Sequence, residues 1–166
     1  PGLKRLRVLW VAGDFRTYCA KLRRSLEESN PPLELIEVPL NNADAVPDAI
    51  RRIADTTDAI WLPPDPLLLN PNTFLIFKEF SMRKRIPLYA PTGGLVDNGA
   101  TASIGVSFFE IGRMAGRAAK HALNAEAQPR QQHSTQIETV INLLVADKIS
   151  LKISPEALKA ASRVIQ

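Results

Sequence analysis

Few residues in this chain of 166 have the type and spacing that catalysis or metal binding requires. The two histidines, His121 and His133, have no Cys, Asp or Glu at the spacing of metal ligands, and the single cysteine, Cys19, can form neither an internal disulfide nor a Cys-rich metal site. The pair Gly93 and Gly94 lacks the third glycine of a dinucleotide-binding fingerprint, and the sequence contains neither a G-x-S-x-G elbow nor a Walker-type phosphate loop. We therefore expect no cofactor, no metal and no catalytic residue.

The basic residues are spread in small groups instead of one patch. The formal net charge is +4, but each group of Lys and Arg sits beside an apolar periodic segment, and no aromatic residue is interleaved with them for base stacking. Such groups are typical of solvated faces, so we expect no nucleic-acid partner. No run of about 18 apolar residues occurs, so the sequence predicts no membrane span.

Apolar runs that favour strands alternate with apolar residues at helical spacing through the first hundred residues. The predicted strands cover residues 6–12, 33–40, 58–62 and 86–90. The helical residues between them form three groups: Phe15, Tyr18, Cys19, Leu22 and Leu26; Val46, Ala49, Ile50 and Ile53; and residues 72–82, with Phe74, Phe77 and Phe80 toward the core. Asp14 is the predicted N-cap of the first helix, and the helical spacing places Cys19 in the core.

This alternation predicts an α/β fold, a three-layer doubly wound parallel sheet with helices on both faces. In such sheets ligands bind beyond the carboxyl ends of the strands. The loops after the first, third and fourth predicted strands, residues 13–15, 63–67 and 91–95, are therefore the expected binding loops. The glycine pair in the last loop is compatible both with a tight turn and with close approach to a ligand.

The chain changes character after residue 99. Residues 100–106 predict a fifth strand, and a helical stripe of unusually small residues follows, formed by Ile111, Ala115, Ala118, Ala119 and Ala122. A polar connector over residues 125–134 leads to a strand over 135–144 that turns helical near Asn142. Ser154, as N-cap, begins the last helix, with Pro155 in its first turn.

Two other classes of protein share the strand-helix alternation. A receiver domain needs an acidic cluster after the first strand, a phosphoacceptor Asp after the third and a Lys after the last. Here Asp14 stands alone, Asp65 follows two prolines, and no Lys follows residues 88–90. A Rossmann-like enzyme needs an acid–base pair or a nucleophile, which the sequence does not show.

Four segments carry recognisable motifs in a fixed order. Residues 58–65 (D-A-I-W-L-P-P-D) resemble D-A-I-x-x-P-x-D, and residues 85–90 resemble a K-I-P-V-F strand. Residues 99–112 resemble G-A-x-A-S-x-G-x-D-Y-x-x-L-G, and residues 140–165 resemble V-I-N-L-x-x-A … I-P-x-x-L-x-x-A-x-x-V-I. These are motifs of the ABC transporter substrate-binding protein family that includes tryptophan and aromatic amino-acid receptors, and the resemblance holds from about residue 6 to the end.

The resemblance implies the second lobe of a type I periplasmic binding protein-like fold, in which two lobes close on a small-molecule ligand by hinge motion. Residues 1–98 and 133–166 would form the C-terminal ligand-binding lobe. Residues 99–132 would be a crossover unit that belongs to the first lobe of a full-length protein, the initial half of that lobe being absent here. The implied partner is an ABC permease, and the implied location is periplasmic or extracytoplasmic, with the export signal outside this sequence. A ligand-sensing regulatory domain of a signalling protein is the alternative.

The resemblance also assigns candidate ligand-binding residues. Asp65 matches the family's cleft Asp, where a carboxylate would pair with the ammonium of an amino-acid ligand; the alternative is that Asp65 caps the next turn. Thr92 and Gly93 match the loop after the fourth strand, whose hydroxyl and backbone N–H could hold a carboxylate. Asp14 and Phe15 occupy the loop after the first strand, where the family usually has N-P-x-E-x-N-S. This departure leaves the class of ligand open.

Without the first lobe's sheet, apolar residues of the crossover unit such as Ile104 and Val106 would lack cover. We expect that the unit either packs onto the chain's own sheet or is exchanged with a second copy, which would give a dimer through residues 100–124.

Overall fold

The computed structural model describes residues 4–10, 15–53, 55–124, 134 and 136–166. The strands are β1 (Arg5–Trp10), β2 (Glu34–Pro39), β3 (Ala59–Trp61), β4 (Leu88–Ala90), β5 (Ala102–Val106), β6 (Ile137–Asn142) and β7 (Arg163–Ile165). The helices are α1 (Arg16–Glu27), α2 (Val46–Ile53), α3 (Pro71–Lys84), α4 (Gly93–Asp97), α5 (Phe108–Leu123), α6 (Leu143–Lys148) and α7 (Pro155–Ala160), and a 3-10 turn (Ala43–Ala45) precedes α2. The strands form one sheet in the order β2-β1-β3-β4-β5-β6-β7.

The predicted doubly wound α/β fold is confirmed, although the sheet is mixed at one end. β1 to β5 pair with one another in parallel, whereas β6 is antiparallel to β5 and β7 is parallel to β6. The reversal follows from the path of the chain, because β5 leaves the sheet at its carboxyl edge and β6 returns from that edge. The periodicity of the sequence did not predict the short edge strand β7.

Two apolar clusters, one on each face of the sheet, form the core. The larger lies under α2, α3 and α4 and includes all four apolar residues predicted for the second helix and the three phenylalanines of the third. The smaller lies under α1 and consists of Leu6, Val8, Cys19, Leu35 and Ala59. Cys19 is fully buried, so its predicted place in the core is confirmed.

Two helix starts agree with the sequence. Asn142 caps α6, where its Oδ1 accepts a hydrogen bond from the N–H of Val145 at 3.0 Å, and Ser154 caps α7, as predicted. Phe15 precedes α1 with helical backbone angles and makes no side-chain cap. Asp14, the predicted cap of this helix, lies outside the described residues.

The crossover unit is only partly packed onto the rest of the chain. β5 and β6 are hydrogen-bonded into the sheet, but α5 buries none of its residues. Its large apolar side chains are exposed, with Phe109 at 78% and Leu123 at 88%. Ile104, on the ribbon that leads to α5, is 70% exposed.

Candidate ligand-binding edge of the sheet

The described candidate binding residues follow three neighbouring strands of the sheet. β3 lies between β1 and β4 and is parallel to both, so the residues that follow these three strands meet at the carboxyl edge. Phe15 follows β1, Asp65 follows β3, and Thr92 and Gly93 follow β4. Asp14, the fifth candidate, lies outside the described part of the chain.

Asp65 holds the turn between β3 and α3. Its residue is fully buried, and its Oδ1 accepts a hydrogen bond from the N–H of Leu67 at 2.9 Å. Its carbonyl oxygen accepts two more, from the N–H groups of Leu68 and Leu69, each at 3.0 Å. These contacts match the second interpretation of the sequence, in which Asp65 caps the next turn. They fix the shape of the loop that follows β3.

Thr92 and Gly93 form the loop between β4 and α4. Thr92 is half-buried and extended, and its hydroxyl makes no capping hydrogen bond to α4. Gly93 lies close to the end of the sheet: a Cβ added there would be 3.0 Å from Cγ2 of Val140 and 3.3 Å from Nη2 of Arg163. A Cβ on Gly94 would meet no atom within 4 Å. Close packing thus explains why residue 93 is a glycine, but it does not explain the glycine at residue 94.

An ion pair next to this loop was not foreseen from the sequence. Arg163, the first residue of β7, contacts Asp97 at the end of α4. The hydrogen bond from Arg163 lowers the pKa of the Asp97 carboxyl, and the same bond raises the pKa of Arg163. The two residues are 66 positions apart in the chain, so no local motif could have indicated the pair.

β5 also contacts the loop. A Cβ added to Gly105 would lie 2.4 Å from the carbonyl oxygen of Pro91, the residue that precedes Thr92. The loop that carries Thr92 and Gly93 therefore packs closely against the backbone of β5 and against side chains of β6 and β7.

An apolar pocket of about 230 Å³ opens on the face of the sheet that α1 covers. The rings of Tyr18 and Trp61 stack, with centroids 5.5 Å apart and planes inclined by 23°. Burial raises the pKa of the Tyr89 phenol, which lies in the same pocket. The remaining lining residues are Leu6, Leu22, Ala90 and Ile104. Sequence reasoning placed Tyr18 on a core stripe of the helix and missed this pocket, because the aromatic residues come from three separate elements.

Among the residues that the structure describes, no three His, Cys, Asp or Glu side chains gather in a way that could hold a metal ion. No helix in that part of the chain is long and apolar enough to cross a bilayer.

Three solved structures share the fold over almost the whole chain. The ABC domain of Streptococcus pneumonia in complex with L-Trp matches with a TM-score of 0.83 and 20% identity, over 99% of this chain and 56% of that one. A conserved domain protein from Vibrio cholerae matches with a TM-score of 0.77 and 19% identity, over 99% of this chain and 55% of that one. The ligand-free, open form of a substrate binding protein with adhesive properties from Clostridium difficile matches with a TM-score of 0.69 and 19% identity, over 100% of this chain and 56% of that one. These likenesses establish a periplasmic binding protein-like fold, and the chain spans little more than half the length of each.

Sequence comparison assigns the family. An uncharacterized protein of Rickettsia prowazekii (strain Madrid E) is 31% identical over 102 residues, which are 61% of this chain and 33% of the relative. The model of the ABC transporter substrate binding protein family matches residues 1–165. The membership that the four motifs predicted is thereby confirmed, and the chain belongs to the ABC transporter substrate binding protein family.

Proposed function

We propose that this chain forms one wall of an interlobe cleft in the solute-binding component of an ABC import system, and that it holds a small molecule there without catalysing a reaction. The observation that carries the proposal is the position of Phe15 and of the loops after β3 and β4 beyond the carboxyl ends of three neighbouring parallel strands. This is where open α/β sheets bind ligands. Membership of a substrate-binding family supports the same role.

The proposed contacts come from the loops after β3 and β4. The Thr92 hydroxyl, which makes no capping bond, and the N–H of Gly93 would donate to a carboxylate of the ligand. Asp65 is fully buried and holds its own turn, so its pairing with a ligand ammonium requires that turn to open. Phe15, with Asp14 before it, would supply the edge of the wall after β1.

An amino acid is the proposed ligand, because it carries the carboxylate and the ammonium that these contacts would recognise. The solved structure from Streptococcus pneumonia is a complex with L-Trp, which makes aromatic amino acids the first compounds to test. The pocket formed by Tyr18, Trp61 and Tyr89 would offer additional apolar contacts near the same edge.

Residues 99–132 would belong structurally to the first lobe, and the exposed apolar residues of α5 would be covered by that lobe or by a second copy in a dimer through residues 100–124. The bound solute would be delivered to a membrane permease, and the protein would act outside the cytoplasm.

A thermal-shift screen of the standard amino acids, on the protein as its gene encodes it, tests the proposal. A true ligand at a hundred times its Kd should stabilise the protein by about 2.7 kcal/mol. Thr92→Val should reduce this shift strongly, because the hydroxyl is lost while the volume is kept. Thr139→Val, on β6 away from the loop, is the matched control and should leave the shift unchanged. If no compound shifts the unfolding temperature, or if the two variants behave alike, the proposed site is wrong.

A further inference from the structure

The crossover strand β5 passes against the ligand loop at Gly105. A Cβ on Gly105 would lie 2.4 Å from the carbonyl oxygen of Pro91 and 3.5 Å from its carbonyl carbon. Cβ atoms do not approach backbone oxygens so closely, so any side chain here must displace either the strand or the loop. This contact gives a physical reason for the glycine in the G-A-x-A-S-x-G motif.

The contact lies where β5 parts from the parallel sheet. β5 pairs with β4 through Ala102 and Ser103 only, whereas it pairs with β6 along its whole length. Gly105 lies two residues beyond the last pair with β4. The contact with Pro91 therefore continues the link between the crossover unit and the end of β4 after strand pairing has stopped.

The loop also packs against side chains of β6 and β7. Gly93 approaches Val140 and Arg163 at distances that leave no room for a methyl group without adjustment. These neighbours can change rotamer, but the Pro91 carbonyl is fixed in the backbone. A side chain at Gly105 must therefore shift the backbone of β5 or the backbone of the loop at Pro91.

We propose that Gly105 is a positioning residue for the ligand loop: it lets β5 pass against the Pro91 carbonyl, so that the position of the crossover unit sets the positions of the Thr92 hydroxyl and the Gly93 N–H. The consequence for ligand binding rests on the proposed function. The positioning itself does not, and it can be measured without any ligand.

Amide hydrogen exchange on Gly105→Ala tests the positioning, with Gly112→Ala as the matched control, since a Cβ at Gly112 meets no atom within 4 Å. We expect Gly105→Ala to accelerate exchange about tenfold in residues 95–100 while the amides of α2 keep their rates. Gly112→Ala should change neither segment. Uniform acceleration throughout the chain, or unchanged exchange in residues 95–100, would overturn the proposal.

Calorimetric titration with L-tryptophan provides the second measurement. Gly105→Ala should raise the Kd about tenfold, equivalent to about 1.4 kcal/mol, and Gly112→Ala should not. If the wild type does not bind L-tryptophan, the proposed ligand is wrong, while the exchange result still decides the role of Gly105.

Gly93→Ala keeps the proposal testable if Gly105→Ala does not fold. The added methyl group would be 3.0 Å from Cγ2 of Val140 and so perturbs the loop itself, and Gly94→Ala, where a Cβ meets no atom within 4 Å, is the matched control. For Gly93→Ala, exchange should rise together in residues 95–100 and 103–106. A rise in residues 95–100 alone would show that the loop and the strand are not coupled.

Discussion

Arg163 donates two hydrogen bonds to Asp97, from Nη1 to Oδ1 at 2.6 Å and from Nη2 to Oδ2 at 3.0 Å. The pair joins the edge strand β7 to the helix that begins with the Thr92–Gly93 loop. Both side chains are about half exposed, at 44% and 51%, so solvent screens their attraction. The bidentate geometry nevertheless restricts the orientation of α4 relative to the sheet.

Removing the charge of Asp97 should make the protein less stable at neutral pH and have no effect in acid. The pKa of Asp97 is lowered in the folded protein from its usual 3.8 by the bond from Arg163. The contribution to stability is therefore complete above that value and is lost as the pH falls through the folded-state pKa. We expect the urea midpoint of Asp97→Asn to lie below that of the wild type at pH 7, and the two midpoints to converge in acid.

Asp44→Asn is the control for the charge itself, because Asp44 is exposed in the 3-10 turn far from β7 along the chain. Its midpoint should follow the wild type at every pH. A difference between Asp97→Asn and the wild type that persists in acid would mean that the effect is not the ion pair.

Gly93→Ala should destabilise the fold, and Gly94→Ala should not. The added methyl group at Gly93 would be 3.0 Å from Val140 Cγ2, and overpacking of this kind costs about 1 kcal/mol or more. The exposed Gly94 has room, and alanine there should stabilise by up to about 1 kcal/mol. Urea denaturation of the two variants gives both values; equal stabilities would contradict the close packing at Gly93.

Asn142→Ala should lower the free energy of unfolding more than the loss of an exposed helix cap does. The buried side chain accepts from the N–H of Val145 at 3.0 Å and donates to the carbonyl oxygen of Val96 at 3.1 Å. Its removal leaves the N–H of Val145 without its cap and removes one of the two hydrogen bonds to the Val96 carbonyl, which keeps the one from the N–H of Gly99, at a cost of about 1–3 kcal/mol. Ser154→Ala, at the exposed start of α7, loses one cap and should cost about 1 kcal/mol. A smaller loss at Asn142 than at Ser154 would show that water replaces the buried bonds.

The proposed dimer predicts that exposed phenylalanines of α5 drive self-association. Phe108 and Phe109 are 68% and 78% exposed, an arrangement that favours apolar contacts with another surface. Sedimentation should show a concentration-dependent dimer for the wild type and a monomer for the double variant Phe108→Ser/Phe109→Ser. Leu75→Ser, which changes an apolar residue of α3 that is 45% exposed, should leave the dimer intact. A monomeric wild type excludes the exchange of this unit between copies.

The sequence was sufficient to predict those features that depend on residues close together in the chain. The four β-α units follow from local periodicity, and the burial of Cys19 and Phe77 follows from helical spacing. The turn at Asp65 was one of two stated alternatives, and its hydrogen bonds are local.

The missed features depend on the order of the strands. The pair of Arg163 with Asp97 exists because β7 lies beside β6 and near α4, and neither the presence of β7 nor the direction of β6 is encoded by a repeating pattern. The stacking of Tyr18 on Trp61 has the same origin, since it depends on α1 lying over β3. Such contacts require the assembled sheet and cannot be read from spacing.

β5 is held more firmly by β6 than by β4, which determines how a force on α5 would act on the sheet. Five residue pairs join β5 to β6, but two join it to β4. A torque on α5 should therefore rotate β5 and β6 together. We expect the bending to occur at the short seam between β4 and β5, beside Ala90.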